Sequence, residues 1–138
     1  MNASGDAKRP MITGAHVLIY SKDPDADRAF FRDVLRFPSV DIGEGWLIFA
    51  LPPAEAAVHP GEDGNMQRHG GHEILGAVLY LMCDDLHAVI QSLAEKNVSC
   101  TEVTKEPWGS KTTIKMPSGG EIGLYQPTHP TALGLKTS

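Results

Sequence analysis

The sequence predicts an α+β fold made of two copies of one strand–helix–strands module, and three observations support that expectation. The stretch Gly14-Ala15-His16-Val17-Leu18-Ile19-Tyr20-Ser21-Lys22-Asp23 recurs in outline as Gly76-Ala77-Val78-Leu79-Tyr80-Leu81-Met82-Cys83-Asp84-Asp85. Each copy is an apolar strand delivered into an acidic helix start. Each helix is then followed by short extended runs separated by Gly and Pro. Self-similarity at a long period implies one structural unit used twice, so the differences between copies carry the functional information. Where the first copy has His16, the second has Val78.

Residues 1–10 are small, polar and charged, and are expected as a flexible N-terminal arm. The domain is expected over residues 11–127, with module one at about 11–60, a linker at 61–75, module two at 76–127 and an irregular tail at 128–138. In the first strand His16, Leu18 and Tyr20 alternate with Val17 and Ile19; both sets are largely apolar, as in a strand covered on both faces. Asp23 is placed to cap a helix that has Pro24 as its first residue. Ala26, Ala29, Phe30, Val34 and Leu35 form its apolar stripe, with Asp27, Arg28, Arg32 and Asp33 on the solvated side.

After Phe37 and Pro38 the pattern turns extended, and three short strands are expected over 39–42, 46–51 and 54–59. Residues 60–71 are rich in Gly, His and charge, and are expected as a connection or a mobile flap. The second module repeats the order. Its first strand spans 76–83, Asp84 or Asp85 caps the helix, and Leu86, Val89, Ile90 and Leu93 form the stripe. Asn97 suits a left-handed helix end. Strands are expected at 99–103, 110–116 and 121–126, with Pro117-Ser118-Gly119-Gly120 as the turn between the last two.

A chain of 138 residues with 41% hydrophobic content suits one core shared by both modules. The formal net charge of −5 and the lack of a basic stripe argue against nucleic acid or an anionic membrane as partner. No stretch has the apolar length of a signal peptide or a membrane span, so a cytoplasmic location is expected. Cys83 and Cys100, both in expected strands, are read as buried free thiols.

The two strand-to-Asp starts, residues 30–35 of the first helix, Pro107-Trp108-Gly109 and the ending Pro117-Ser118-Gly119-Gly120-Glu121-Ile122-Gly123-Leu124-Tyr125-Gln126-Pro127 resemble the vicinal oxygen chelate superfamily. That superfamily includes glyoxalase I, bleomycin-resistance proteins, extradiol dioxygenases and fosfomycin-resistance enzymes. Its usual ending is Pro-Asp-Gly-Asn-x-Ile-Glu-Leu-Tyr. The resemblance implies two βαβββ modules whose curled mixed sheets enclose a cavity, assembled as a homodimer.

It also implies a metal position, filled by a His or similar residue from the first strand of each module and a Glu from the last. Mapped onto this chain, the first module supplies His16 and, by Ala54-Glu55-Ala56, Glu55. The second supplies neither, because the positions fall on Val78 and Gly123. A catalytic ion generally wants three protein ligands and an open position. A third ligand could come from His59, from His69 or His72 in the linker, or from Glu121 after a register shift. Against this stands the plainer reading of His16 as a hydrogen-bonded wall residue, and of Glu55 as solvated.

The expected cavity face carries Leu18, Tyr20, Val78, Tyr80, Met82, Glu121 and Tyr125, an apolar and aromatic lining suited to a small organic molecule. The favoured reading is therefore a metal-independent binder of the bleomycin-resistance type, with no firm cofactor. The alternative is a metal-dependent lyase, isomerase or dioxygenase in which His16 and Glu55 hold Zn, Ni, Mn or Fe; His16 is also the candidate general base. A structural subunit without a ligand is a third reading.

Overall fold

In the computed structural model, which describes residues 12–135, the second copy of the repeat forms a full βαβββ unit. The expected arm at 1–10, Met11 and the last three residues of the tail lie outside the described residues. Strand β5 (Tyr80–Met82) leads to helix α2 (Leu86–Ala94), followed by β6 (Thr104–Glu106), β7 (Gly109–Lys115) and β8 (Glu121–Pro127). These strands make one sheet in the order β5-β8-β7-β6, with β5 parallel to β8 and the other pairs antiparallel.

Local chemistry accounts for both ends of α2. Asp85 accepts a hydrogen bond from the Ala88 N–H at 3.0 Å, and Gln126 Oε1 satisfies the Leu86 N–H at 2.8 Å. At the far end Asn97 is left-handed (φ 63°). The Val98 N–H reaches the Leu93 carbonyl and the Asn97 N–H the Ala94 carbonyl, which is a Schellman closure. The helix stripe then packs on one face of the sheet. Leu86, Leu93, Ile114, Met116, Ile122 and Leu124 form the core together with Phe30 and Phe31, each contributing about 1.5–3 kcal/mol of burial.

Phe30 and Phe31 come from α1 (Pro24–Asp33), the first copy's helix, which begins at the Asp23 cap with Pro24 as expected. After it β1 (Ser39–Asp41) and β2 (Leu47–Phe49) pair as an antiparallel hairpin. Phe49 folds back edge-on against the Phe31 ring. A direct tie joins the copies: Asp27 of α1 accepts from both the N–H (3.0 Å) and the hydroxyl (2.7 Å) of Ser118 in the β7–β8 turn.

The first copy departs from expectation in its sheet. Residues 12–20 form no ladder among the described residues, and Ile12, Val17, Leu18, Ile19 and Tyr20 are exposed. Residues 54–59 also lack a ladder among the described residues. Pro52 and Pro53 before them and Pro60 after them have no N–H to donate, so pairing is starved at both ends. The expected strand at 99–103 is reduced to a bridge between Cys100 and Ile114. The stretch expected as the linker between modules and a candidate flap carries local structure of its own. It holds a 3-10 turn (Asp63–Asn65) and a hairpin of β3 (Gln67–His69) with β4 (His72–Ile74), closed by Gly70 and Gly71 at φ 59° and 83°.

Candidate ligand-binding site

Strand parity divides the four-stranded sheet into two faces. Ile122 and Leu124 of β8 point into the core, so Glu121, Gly123 and Tyr125 share the opposite face. Register then fixes their neighbours: Tyr80 of β5 lies beside Gly123 and Met82 beside Tyr125, while Thr113 and Lys111 of β7 flank Gly123 and Tyr125 from the other side.

Gly123 matters for what it lacks. A Cβ built there would lie 2.2 Å from Cδ1 and 2.4 Å from Cε1 of Tyr80. The Tyr80 ring therefore lies over the bare backbone of Gly123, the position where the family pattern carries its carboxylate. From there it meets Tyr125 edge to face at 5.5 Å and Trp108 at 6.3 Å, and Trp108 meets Tyr125 at 5.3 Å. All three interplanar angles lie between 82° and 88°. Edge-to-face contacts of this kind add about 0.5–1.5 kcal/mol each beyond area burial. Lys111 Nζ stands 5.5 Å from the Trp108 ring and 3.4 Å from the Glu106 carboxylate.

At the edge of this cluster sits Glu55. Its Oε1 accepts from the Ala132 N–H at 2.7 Å, and its Oε2 accepts from the Tyr125 hydroxyl at 3.4 Å. His129 Nε2 lies 3.3 Å from the same hydroxyl and 3.9 Å from Glu55 Oε2. Burial first, then the Glu55 charge and its hydrogen bond, hold the Tyr125 phenol above its ordinary range. Tyr125 is thus a neutral donor at neutral pH. Its carbonyl accepts from Cys83 Sγ at 3.5 Å, and burial, with Asp84 and Asp85 nearby, pushes the Cys83 thiol up to about 11.

The remaining sequence-derived candidates are placed as follows. Tyr80, Met82, Glu121 and Tyr125 share the sheet face. Glu121 accepts from the Thr113 hydroxyl at 2.7 Å. Leu18, Tyr20 and Val78 are exposed, and the Tyr20 hydroxyl contacts His69 Nδ1. His16 is exposed on the unpaired segment, and the polar partners of Glu55 are Tyr125, His129 and Ala132, not His16. His59 turns its Nδ1 to the Pro60 carbonyl. Among the described residues no three His, Cys, Asp or Glu side chains gather in a group that could hold a metal ion. The donor set present, the Glu55 carboxylate already hydrogen-bonded through both oxygens and the His129 imidazole beside it, falls short of the three ligands such an ion generally takes.

Sequence reasoning missed His129 and Ala132. The Ala132 contact spans 77 residues, and no local pattern marks it.

Comparison with known proteins adds the following. Residues 14–124 match the profile of a family described as the Glyoxalase/Bleomycin resistance protein/Dioxygenase superfamily. Comparison with curated proteins finds no matching relative. Among solved structures, a lactoylglutathione lyase from Agrobacterium tumefaciens superposes with a TM-score of 0.54 at 17% identity, covering 85% of this chain and 95% of that one. A Glyoxalase/bleomycin resistance protein/dioxygenase superfamily member from Sphaerobacter thermophilus DSM 20745 gives 0.53 at 22% identity, covering 85% and 99%. At such identities these likenesses bear on the fold alone.

Proposed function

This chain belongs to the Glyoxalase/Bleomycin resistance protein/Dioxygenase superfamily, and from that premise we propose that it binds a small, flat, partly aromatic organic molecule without a metal ion. One observation carries the reading: the Tyr80 ring occupies the space over Gly123 that a second-module carboxylate would need. The site has an aromatic surface of Tyr80 and Trp108, backed by the buried Tyr125 ring, where an ion-binding site would have a charged oxygen. Such surfaces hold flat ligands by stacking and burial. Lys111 supplies a polar contact at its edge.

The working unit in this proposal is a homodimer. The apolar segment at 12–20, which joins no ladder among the described residues, suits pairing with another strand, and exposed Val40, Ile42, Ile74, Leu75 and Val78 extend the apolar surface. Sedimentation at micromolar concentration tests this, a dimer being expected and a monomer contradicting it. No helix among the described residues is long and apolar enough to cross a membrane. Cys83 and Cys100 are free thiols, which suits the cytoplasm.

The ligand proposal is tested with 2-naphthol against its saturated counterpart decahydro-2-naphthol, followed by Trp108 fluorescence in a Trp46→Phe background. Two stacking contacts make naphthol the tighter ligand by at least ~5-fold, and Tyr80→Ala is expected to remove most of that preference. Equal affinity for the two compounds, or binding that needs an added divalent metal, would refute the proposal.

A further inference from the structure

We infer that Glu55 is the latch of a C-terminal strap, a positioning residue that holds residues 128–135 beside the aromatic cluster and sets how fast a ligand leaves it. The chain leaves β8 at Pro127 and is pinned at once. The Thr128 N–H donates to the Trp108 carbonyl at 2.9 Å and the Thr128 hydroxyl to that of Pro107 at 3.2 Å. His129 then lies against Tyr125, ring centroids 6.2 Å apart and tilted by 31°. The next tie is the Ala132 N–H on Glu55. The strap thus runs from Trp108 past Tyr125 to a carboxylate of the other module.

The carboxylate and the strap depend on each other. The Glu55 side chain is only 17% exposed, and a carboxylate withdrawn from water is costly unless donors replace the water it loses. Its donors are one strap amide and one phenol. Lifting the strap leaves Oε1 unpaired; removing Glu55 leaves the strap without its far anchor. Little else holds that end. Leu135 is 74% exposed, and the segment carrying Glu55 has no sheet partner among the described residues. Few buried contacts and a single anchoring bond are the conditions for low-cost local opening. The same hydrogen bonds occupy the oxygens that the family pattern would offer to an ion, so here that position does mechanical work instead.

The latch is tested on the full chain by hydrogen exchange of the amides of residues 131–135, which needs no ligand. Glu55→Ala and Ala132→Pro, which deletes the donor and leaves the carboxylate, are each expected to speed exchange by at least ~10-fold. Glu55→Gln, whose amide oxygen still accepts, is expected to fall between them and the unmodified protein. The β7 amides report whether each variant keeps its fold. Unchanged exchange in Ala132→Pro and Glu55→Ala overturns the latch. The gating arm rests on the proposed ligand site and uses stopped-flow release of 2-naphthol, which the same two variants are expected to accelerate by a similar factor. Faster exchange with unchanged release overturns gating. Faster exchange in a protein that never bound naphthol supports the latch and refutes the ligand proposal.

Discussion

Substituting Gly123 by Ala puts a methyl group 2.2 Å from the Tyr80 ring, well inside any allowed carbon–carbon contact. In an ordinary strand, Gly→Ala is stabilising by about 0.5–1 kcal/mol through the reduced entropy of the unfolded chain. Here the ring must move, and overpacking of this kind costs about 1–3 kcal/mol. A displaced ring also gives up its edge-to-face contacts with Tyr125 and Trp108, worth about 0.5–1.5 kcal/mol each. Gly123→Ala is therefore expected to destabilise the fold by about 1–5 kcal/mol once the strand gain is subtracted. The diagnostic quantity is the coupling. In Tyr80→Ala protein the clash is gone, so Gly123→Ala should become neutral or stabilising, and the double variant should be more stable than the sum of singles implies by at least about 1 kcal/mol. Urea unfolding of the four proteins measures this directly. Additivity within about 0.5 kcal/mol would show that the ring does not depend on the glycine, and the argument for an aromatic surface in place of a carboxylate would fail.

Three further outcomes follow from the packing and the titrating groups. Asp27→Ala removes both hydrogen bonds to Ser118; a loss of about 2–3 kcal/mol is expected in the same assay, and a loss under 0.5 would deny that this contact ties the modules. Leu86, 1% exposed on the core side of α2, should cost about 2–5 kcal/mol when cut to Ala, measured by the shift in urea midpoint. Cys83, with its thiol pushed up to about 11 from an ordinary 9.0, should react with iodoacetamide at pH 8 about a hundredfold more slowly than an unperturbed thiol. Cys83 and Tyr125 both hold their protons more tightly folded than unfolded. The stability Cys83 contributes is whole below about pH 9 and is lost as pH rises through about 11, and the raised Tyr125 phenol acts in the same direction, so a midpoint rising over that window would contradict the assignment.

What the sequence made legible was local. Asp23 with Pro24, Asp85, Asn97 and the turn at Pro117 to Gly120 act within one helical turn or one hairpin, and the structure uses each as expected. The alternation of Ile122 and Leu124 with Gly123 and Tyr125 separated the two sheet faces for the same reason. Ladders were less legible because pairing is non-local. Residues 12–20 have the composition of a strand, but composition does not say whether one chain contains the edge they need. The β3–β4 hairpin had a readable signal in Gly70-Gly71, outweighed by the polarity of its flanks. Gly123 was legible as a missing carboxylate, though not as a seat for Tyr80, since that depends on the parallel register of β5 with β8. Glu55 stood out by resemblance; its actual partners, Tyr125 and Ala132, meet it only through the tertiary fold.

The central claim is that this member of the superfamily binds through aromatic rings rather than through an ion held by His16 and Glu55. Calorimetric titration of untagged, chelator-treated protein with 2-naphthol, repeated after adding Zn, Ni, Mn or Fe, tests it most directly. The account predicts the same affinity with and without metal, and no effect of His16→Ala. Binding that appears only with metal and disappears in His16→Ala would contradict it.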